Sequence, residues 1–175
     1  YRLSDHLFVH TDAMKQELVA SFGVREEAIT VIPFGINNTS PETALTPATA
    51  RRKLGIGSGE RVLLFFGNIG PYKGVEFLVA AFRRIVATDP RYRLIIAGQL
   101  RKGGKGYWDE IQRTIDRAGL GERVIKRIEY IPDSETEVYF KAADVLVLPY
   151  TEVSQSGVVV LGYAFGLPVV ATDVG

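Results

Sequence analysis

The chain has 175 residues, of which 46% are hydrophobic and 23% charged, the balance of a globular protein with room for one domain or a domain plus part of another. A net charge of +1 argues against nucleic-acid binding, and the lack of cysteine excludes disulfides and thiolate metal sites and is typical of a cytoplasmic protein. No apolar run approaches the roughly 20 residues that span a bilayer, and no signal peptide is visible.

The first 36 residues predict two short strands with a helix between them. LFVHT (7–11) and ITVIPFG (29–35) are β-rich, and DAMKQELVASFG (12–23) has helical spacing, with Asp12 as the expected cap and Gly23 as the stop. Residues 37–48 are rich in Asn, Thr, Ser and Pro and predict a linker. Both ends of the sequence adjoin β-rich runs, so we expect a fragment of a longer protein.

From residue 49 onward strands and helices alternate. Strands are predicted at 61–67, 93–98, 124–131, 144–150 and 168–173. The helix after the first of these strands has a predicted buried stripe. Ser134 and Glu137 predict a capping box at the start of the helix that precedes the fourth strand. The stripe consists of Val75, Leu78, Val79, Phe82, Ile85 and Val86. This alternation predicts an α/β fold, a doubly wound, Rossmann-like parallel sheet with helices on both faces.

Ligands of such sheets bind beyond the carboxyl ends of the strands, so the loops after Phe66, Ala97, Tyr130 and Leu148 are the expected site. The first loop, GNIGPYKG (67–74), has the wrong glycine spacing for a dinucleotide fingerprint and lacks the Gly-Lys-Ser/Thr end of a P-loop. It leaves a lysine, Lys73, in the expected first turn of a helix, where the backbone amides favour an anion. A solvated lysine beside a turn glycine is the alternative.

Five motifs in this order resemble the family 4 glycosyltransferases of GT-B architecture. They are GNIGPYKG, LIIAG (94–98), the segment 124–150, the closing segment 156–175, and SDHLFVHT with VIPFGI near the start. The resemblance implies that residues 1–36 are the last strand and helix of an acceptor domain with the crossover strand, and that residues 37–48 are a linker. Residues 49–175 would form a donor-binding domain that is incomplete at its C-terminus. The resemblance also implies retaining transfer of a hexose from a UDP- or GDP-sugar without metal or other cofactor, in surface polysaccharide or glycolipid synthesis.

Further expectations concern partners and location. The resemblance implies a sugar or lipid-linked acceptor bound by an N-terminal domain, with membrane contact only through parts outside this chain. The full protein would be cytoplasmic or membrane-peripheral, and the fragment alone inactive. The sequence agrees with a metal-free site, since its two histidines lie at 6 and 10 and no Asp-x-Asp occurs.

The resemblance also suggests the roles of individual residues. Lys73 and Glu152 are the catalytic candidates, although Glu152 is one residue from the position of the family's first glutamate, and Leu161 stands where the family has its second. Asn68 replaces an arginine typical of the family, and Arg101 or Lys102 is the candidate second cation, with a solvated loop as the alternative. The diphosphate residues are Gly67, Asn68, Lys73, Ser156, Gly157, Val158 and Arg101; the base and ribose residues are Gly98, Tyr130, Ile131, Pro132 and Leu161.

Several alternatives stay open. Leu161, Tyr163, Ala164 and Phe165 are expected to pack in the core, and Tyr130 to Pro132 fit a strand end with a turn proline equally well. For function, the alternatives are a non-catalytic nucleotide-sugar binding module, suggested by the leucine at 161, and a nucleotide-sugar epimerase of GT-B type.

Overall fold

The computed structural model describes residues 4–33, 35, 44–153 and 155–174. Most of the predicted linker, residues 37–43, lies outside the described residues, and its last two positions belong to a helix. Among the described residues, no helix is long and apolar enough to cross a membrane.

A small parallel unit comes first in the chain. Strands β1 (Leu7–Val9) and β2 (Ile29–Val31) pair in parallel, with helix α1 (Asp12–Phe22) as the crossover. The side chain of Thr11, not Asp12, caps α1, because its oxygen accepts the amide of Met14 at 3.1 Å. The predicted cap is therefore wrong by one residue. Gly23 ends the helix in the left-handed conformation, as predicted.

The main sheet has five strands, all parallel. They are β3 (Arg61–Phe66), β4 (Tyr92–Ala97), β5 (Val124–Arg127), β6 (Val145–Leu148) and β7 (Val169–Ala171). Their order is β5-β4-β3-β6-β7. The helices are α2 (Pro47–Lys53), α3 (Val75–Thr88), α4 (Lys105–Arg117), α5 (Asp133–Ala142) and α6 (Gly157–Ala164). The predicted α/β, Rossmann-like fold is confirmed.

The core lies around β3 and β4, whose continuous apolar runs are buried. Residues 62–65 and 94–97 are all buried, as expected for strands covered on both faces. Right-handed crossovers place α3 and α4 on one face, and the reversed direction after β5 places α5 on the other. The α3 stripe is buried from Val75 to Phe82, about two turns, whereas Ile85 and Val86 are half-buried.

Two predictions near β5 are wrong. The strand ends at Arg127 rather than at 131. Helix α5 starts after Pro132, so Ser134 lies inside its first turn and makes no capping box. Glu137 is instead buried and pairs with Lys141 one turn later.

The strand order has a switch point between β3 and β6. The chain leaves β3 toward β4 on one side and later returns to β6 on the other, so the two crossovers diverge. Such divergence opens a crevice beyond the carboxyl ends of these two strands. The loops that border the crevice are 67–74 after β3 and 149–156 after β6.

Candidate functional site

The loops after β3 and β4 meet through their backbones. Gly98 has φ +143°, and a Cβ there would lie 1.9 Å from the carbonyl oxygen of Gly67. The amide of Ile69 donates to the carbonyl of Gln99 at 2.8 Å, and the amide of Arg101 donates to the carbonyl of Ile69 at 3.0 Å. Gly98, which we assigned to the base side of the ligand, therefore has a structural reason to be glycine. The same contact brings Arg101 to the Lys73 loop.

Lys73 lies in a short 3₁₀ turn, Pro71–Lys73, just before α3 rather than in the first turn of that helix. The residue is only 9% exposed, and no carboxylate pairs with it among the described residues. Its Nζ lies 3.6 Å from the ring centroid of Tyr150 and 4.9 Å from that of Tyr72. Burial, assisted by the nearby charge of Arg101, lowers the pKa of Lys73 from 10.5 to about 8. A buried ammonium without a counterion favours an anionic ligand.

The amino end of α3, which the sequence suggested as an anion site, already carries protein partners of its own. The first amide of this helix, on Val75, donates to the hydroxyl of Tyr107 at 3.1 Å. That hydroxyl in turn donates to the carboxylate of Glu76, which also lies in the first turn. The hydrogen bond and the burial raise the pKa of Tyr107. A capped end that carries a carboxylate does not attract a second anion.

The amino end of α6, in contrast, is open. Ser156 holds the N-cap position, as predicted, but its Oγ lies 3.2 Å from the hydroxyl of Tyr150 and caps no amide. Within the described part of the chain, the amides of Gly157 and Val158 have no hydrogen-bond acceptor. No acidic residue lies in the first turn, so both the amides and the helix dipole are available to an anion.

This open helix end touches the Lys73 loop. A Cβ on Gly67 would lie 3.3 Å from Cγ2 of Val158. The amide and the hydroxyl of Thr151 both donate to the carbonyl of Tyr72, at 3.0 and 3.3 Å. A Cβ on Gly74 would lie 1.9 Å from the carbonyl oxygen of Pro149, which makes glycine necessary there as well. The structure thus brings the predicted diphosphate residues of both loops to one edge of the sheet.

Glu152 and Arg101 line an open cleft of about 550 Å³ beside this edge. Tyr72, Val153, Gln155 and Met14 complete its lining. Both charged side chains are exposed, and no ion pair joins Glu152 to a cation among the described residues. The guanidinium of Arg101 lies 5.2 Å from the ring centroid of Tyr72, the ring that also faces Lys73. Asn68 is exposed and carries no charge.

The residues assigned to the base and ribose lie farther away. Tyr130 (65% exposed), the buried Ile131 and Pro132 follow β5 at the sheet edge, two strands and therefore about 10 Å from β3. Leu161 is half-buried in α6 and packs on the core.

The expected core packing in α6 is only partly correct. Phe165 stacks on Phe140 with ring centroids 5.0 Å apart. Tyr163, however, is 58% exposed and Ala164 is also exposed, so these two residues do not belong to the core. Gly162 is the buried residue of this helix. It packs so closely on β6 that a Cβ there would lie 2.8 Å from Cδ2 of Leu146.

Sequence reasoning missed two aromatic residues of the site, Tyr72 and Tyr150. Tyr150 is 3% exposed, and burial raises the pKa of its phenol. The sequence offers a weak signal, since one tyrosine precedes the lysine in PYK and the other ends a strand in LPY. No cluster of His, Asp and Glu in the described ranges could hold a metal ion.

The fold and the site together define an α/β domain with a candidate anion site at the switch point of its sheet. Residues 60–175, more than half of the chain, match the model of a family described as glycosyl transferases group 1. The chain belongs to this family of glycosyltransferases, and the predicted resemblance to GT-B enzymes is confirmed.

Two curated relatives are both named D-inositol 3-phosphate glycosyltransferase. The protein of Thermobispora bispora is 32% identical over 176 residues, covering 99% of this chain and 41% of its own length. That of Segniliparus rotundus is 31% identical over 173 residues, covering 98% and 38%. The chain thus spans about two fifths of these relatives.

Two solved structures are similar over almost the whole chain. HepE of Anabaena in complex with UDP has a TM-score of 0.82 and 26% identity, covering 99% of this chain and 46% of its own. Sucrose-phosphate synthase of Thermosynechococcus elongatus has a TM-score of 0.78 and 27% identity, covering 98% and 41%.

Proposed function

We propose that this chain is the donor-binding half of a retaining hexosyltransferase and binds the diphosphate of a UDP- or GDP-sugar, without a metal or other cofactor. The observation that carries the proposal is the Lys73 ammonium. It is nine-tenths buried, has no carboxylate partner among the described residues, and lies beside the open amino end of α6. HepE, which is similar over 99% of this chain, was crystallised with UDP, which supports a nucleotide diphosphate as the ligand.

The diphosphate would lie between the two loops at the switch point. Lys73 provides a fixed charge from one side, and the amides of Gly157 and Val158 donate from the other. Arg101 provides the second charge from the β4 loop, in place of the arginine that Asn68 replaces. Gly67 leaves room for the ligand between these groups.

This arrangement suits departure of a diphosphate leaving group. When the bond between the sugar carbon and the β-phosphate oxygen breaks, its electron pair passes to that oxygen, so negative charge grows on the diphosphate. The acceptor oxygen forms the new bond to the same face of the sugar carbon, and its proton passes to the departing β-phosphate oxygen. Cations and amides that are already in position stabilise this charge without reorganisation. Glu152, on the cleft side, is placed to contact the sugar.

The position of the diphosphate suggests where the base, ribose and acceptor would lie. The base and ribose would extend from the diphosphate toward Gly98 and the residues 130–132 beyond β5, across β4. Leu161 adds no carboxylate on the ribose side. The acceptor, a sugar or a lipid-linked sugar, would bind to an N-terminal domain outside this chain. The whole protein would act in the cytoplasm or at the membrane surface, in polysaccharide or glycolipid synthesis.

Calorimetry with UDP, GDP and NAD tests the proposal. We expect UDP or GDP to bind, Lys73→Met to weaken binding at least tenfold, and the exposed Lys53→Met to leave it unchanged. Added salt should also weaken binding, since the contact is between charges. Equal affinity in Lys73→Met, or tighter binding of NAD, would refute the assignment.

A second assay separates an enzyme from a non-catalytic binding module or an epimerase. The full-length protein is incubated with a labelled nucleotide sugar and acceptor. Transfer of the label supports the transferase, whereas binding with no transfer and no hydrolysis supports the module. Conversion to a different nucleotide sugar supports the epimerase. The chain of 175 residues alone should bind without turnover.

A further inference from the structure

Ser156 differs from the other hydroxyl residues that precede helices in this chain. Thr11 and Thr46 cap α1 and α2 by accepting the amide three residues later, at 3.1 and 3.2 Å. Ser156 occupies the same position before α6, yet its Oγ is bonded to the hydroxyl of Tyr150 and makes no cap. Serine is among the best N-cap residues, so this absence needs a cause.

The position of Tyr150 supplies that cause. The residue is almost fully buried, so its ring cannot turn away. Its carbonyl accepts a hydrogen bond from the hydroxyl of Thr172, which fixes the backbone at the end of β6. The ring face lies 3.6 Å from Nζ of Lys73, and the hydroxyl at its edge reaches Ser156. One side chain thus contacts both halves of the anion site.

We propose that Tyr150 is a positioning residue that holds the hydroxyl of Ser156 away from the first turn of α6 and so keeps this helix end open for the ligand diphosphate. The identity of the ligand rests on the function proposed above. The contact between the hydroxyls of Tyr150 and Ser156, however, is present in the protein without ligand.

The expected consequence of losing the tyrosine hydroxyl follows from ordinary helix capping. Ser156 would rotate and accept the amide of Val158, which has no acceptor among the described residues, since the amide of Val159 already donates to the carbonyl of Ser156 at 3.2 Å. Its oxygen would then lie over the first turn, where a phosphate oxygen would bind. A ligand would have to displace it, at a cost comparable to one N-cap hydrogen bond. This corresponds to about a three- to tenfold loss of affinity.

Tyr150→Phe tests this with little disturbance, because phenylalanine keeps the ring face that contacts Lys73. In the free variant, we expect hydrogen exchange at the Val158 amide to slow several-fold relative to the wild type. UDP affinity should fall about three- to tenfold. In the Ser156→Ala background the same substitution should change affinity less than twofold, because no hydroxyl remains to close the helix end.

Each measurement has an outcome that overturns the proposal. Unchanged exchange at Val158 in Tyr150→Phe would show that Ser156 does not move, whether or not UDP binds. An equal affinity loss with and without Ser156 would show that Tyr150 acts by some other route. If the wild type bound neither UDP nor GDP, the proposed function would fail, and the exchange result alone would decide the role of Tyr150.

Discussion

Replacing Lys73 by methionine should stabilise the folded chain while abolishing tight binding of the donor diphosphate. Methionine keeps an unbranched apolar stem of similar length and removes the charge. The ammonium is buried without a carboxylate partner among the described residues, so the fold carries a cost that an anionic ligand relieves. Opposite effects on stability and binding are characteristic of a residue kept for function.

The size of the effect follows from the pKa of Lys73. A fall from 10.5 to about 8 corresponds to roughly 3 kcal/mol at neutral pH. The contacts of Nζ with the rings of Tyr150 and Tyr72 offset part of this, on the order of 1–2 kcal/mol. We therefore expect Lys73→Met to be more stable than the wild type by about 1–2 kcal/mol at pH 7. Because the folded-state pKa is the lower one, the cost is complete below pH 8 and disappears as the pH rises toward 10.5.

Urea unfolding at pH 7 and pH 10 measures this difference. The single tryptophan, Trp108, is half-buried against the core in α4 and reports unfolding by fluorescence. Lys53→Met, at an exposed position of α2, is the matched control and should change stability by less than about 0.5 kcal/mol. A Lys73→Met protein less stable than the wild type at pH 7 would show that the charge is already satisfied in the free protein. The reasoning about the anion site would then be wrong.

Three further expectations concern the same edge of the sheet. UDP affinity, measured by calorimetry, should fall about tenfold between pH 7 and pH 9 as Lys73 loses its proton. The Lys73→Arg variant should show no such dependence, since arginine stays charged. A wild-type affinity that does not change with pH would contradict this prediction. Gly98→Ala should lower the midpoint of thermal unfolding far more than Gly103→Ala, because only at Gly98 would the new Cβ collide with the Gly67 carbonyl oxygen. An equal fall of the midpoint in both variants would contradict this. Tyr107→Phe should destabilise the chain by about 1–2 kcal/mol in urea unfolding yet leave UDP affinity unchanged, and weaker binding would place the anion at α3 instead of α6.

The order of strands and helices could be predicted from the sequence because burial on both faces of a parallel sheet leaves a clear pattern. The run RVLLFFG and the six-residue stripe of the next helix both follow from this, and the structure has β3 and α3 there. Helix caps were harder to predict, because moving a helix start by a residue or two hardly alters the hydrophobic pattern but changes which residue holds the cap position. Asp12 and Ser134 are good caps by type, but the cap positions are held by Thr11, one residue earlier, and by Pro132, two residues earlier.

The site was predicted in its loops but not in its contacts. Strand order determines that the loops after β3 and β6 are neighbours, and this order cannot be read from composition. Tyr72 and Tyr150 are 78 positions apart and meet the same ammonium only because of that order. Glycine spacing in GNIGPYKG was informative for what it excluded. The positive reason for its last glycine, the close approach of Gly74 to the backbone at Pro149, required coordinates.

The sequence suggested anion binding at two helix ends, those of α3 and α6, and in the structure the amides of only the second are open. Both α3 and α6 begin after a glycine- or serine-containing loop, and only the first has a lysine beside it. In the structure the lysine side chain faces the rings of Tyr72 and Tyr150, while the first amide of α3, on Val75, donates to the hydroxyl of Tyr107. The charge therefore comes from one loop and the free amides come from the other. An anion that uses both must bridge β3 and β6, so the site depends on the switch point of the sheet and not on either loop alone.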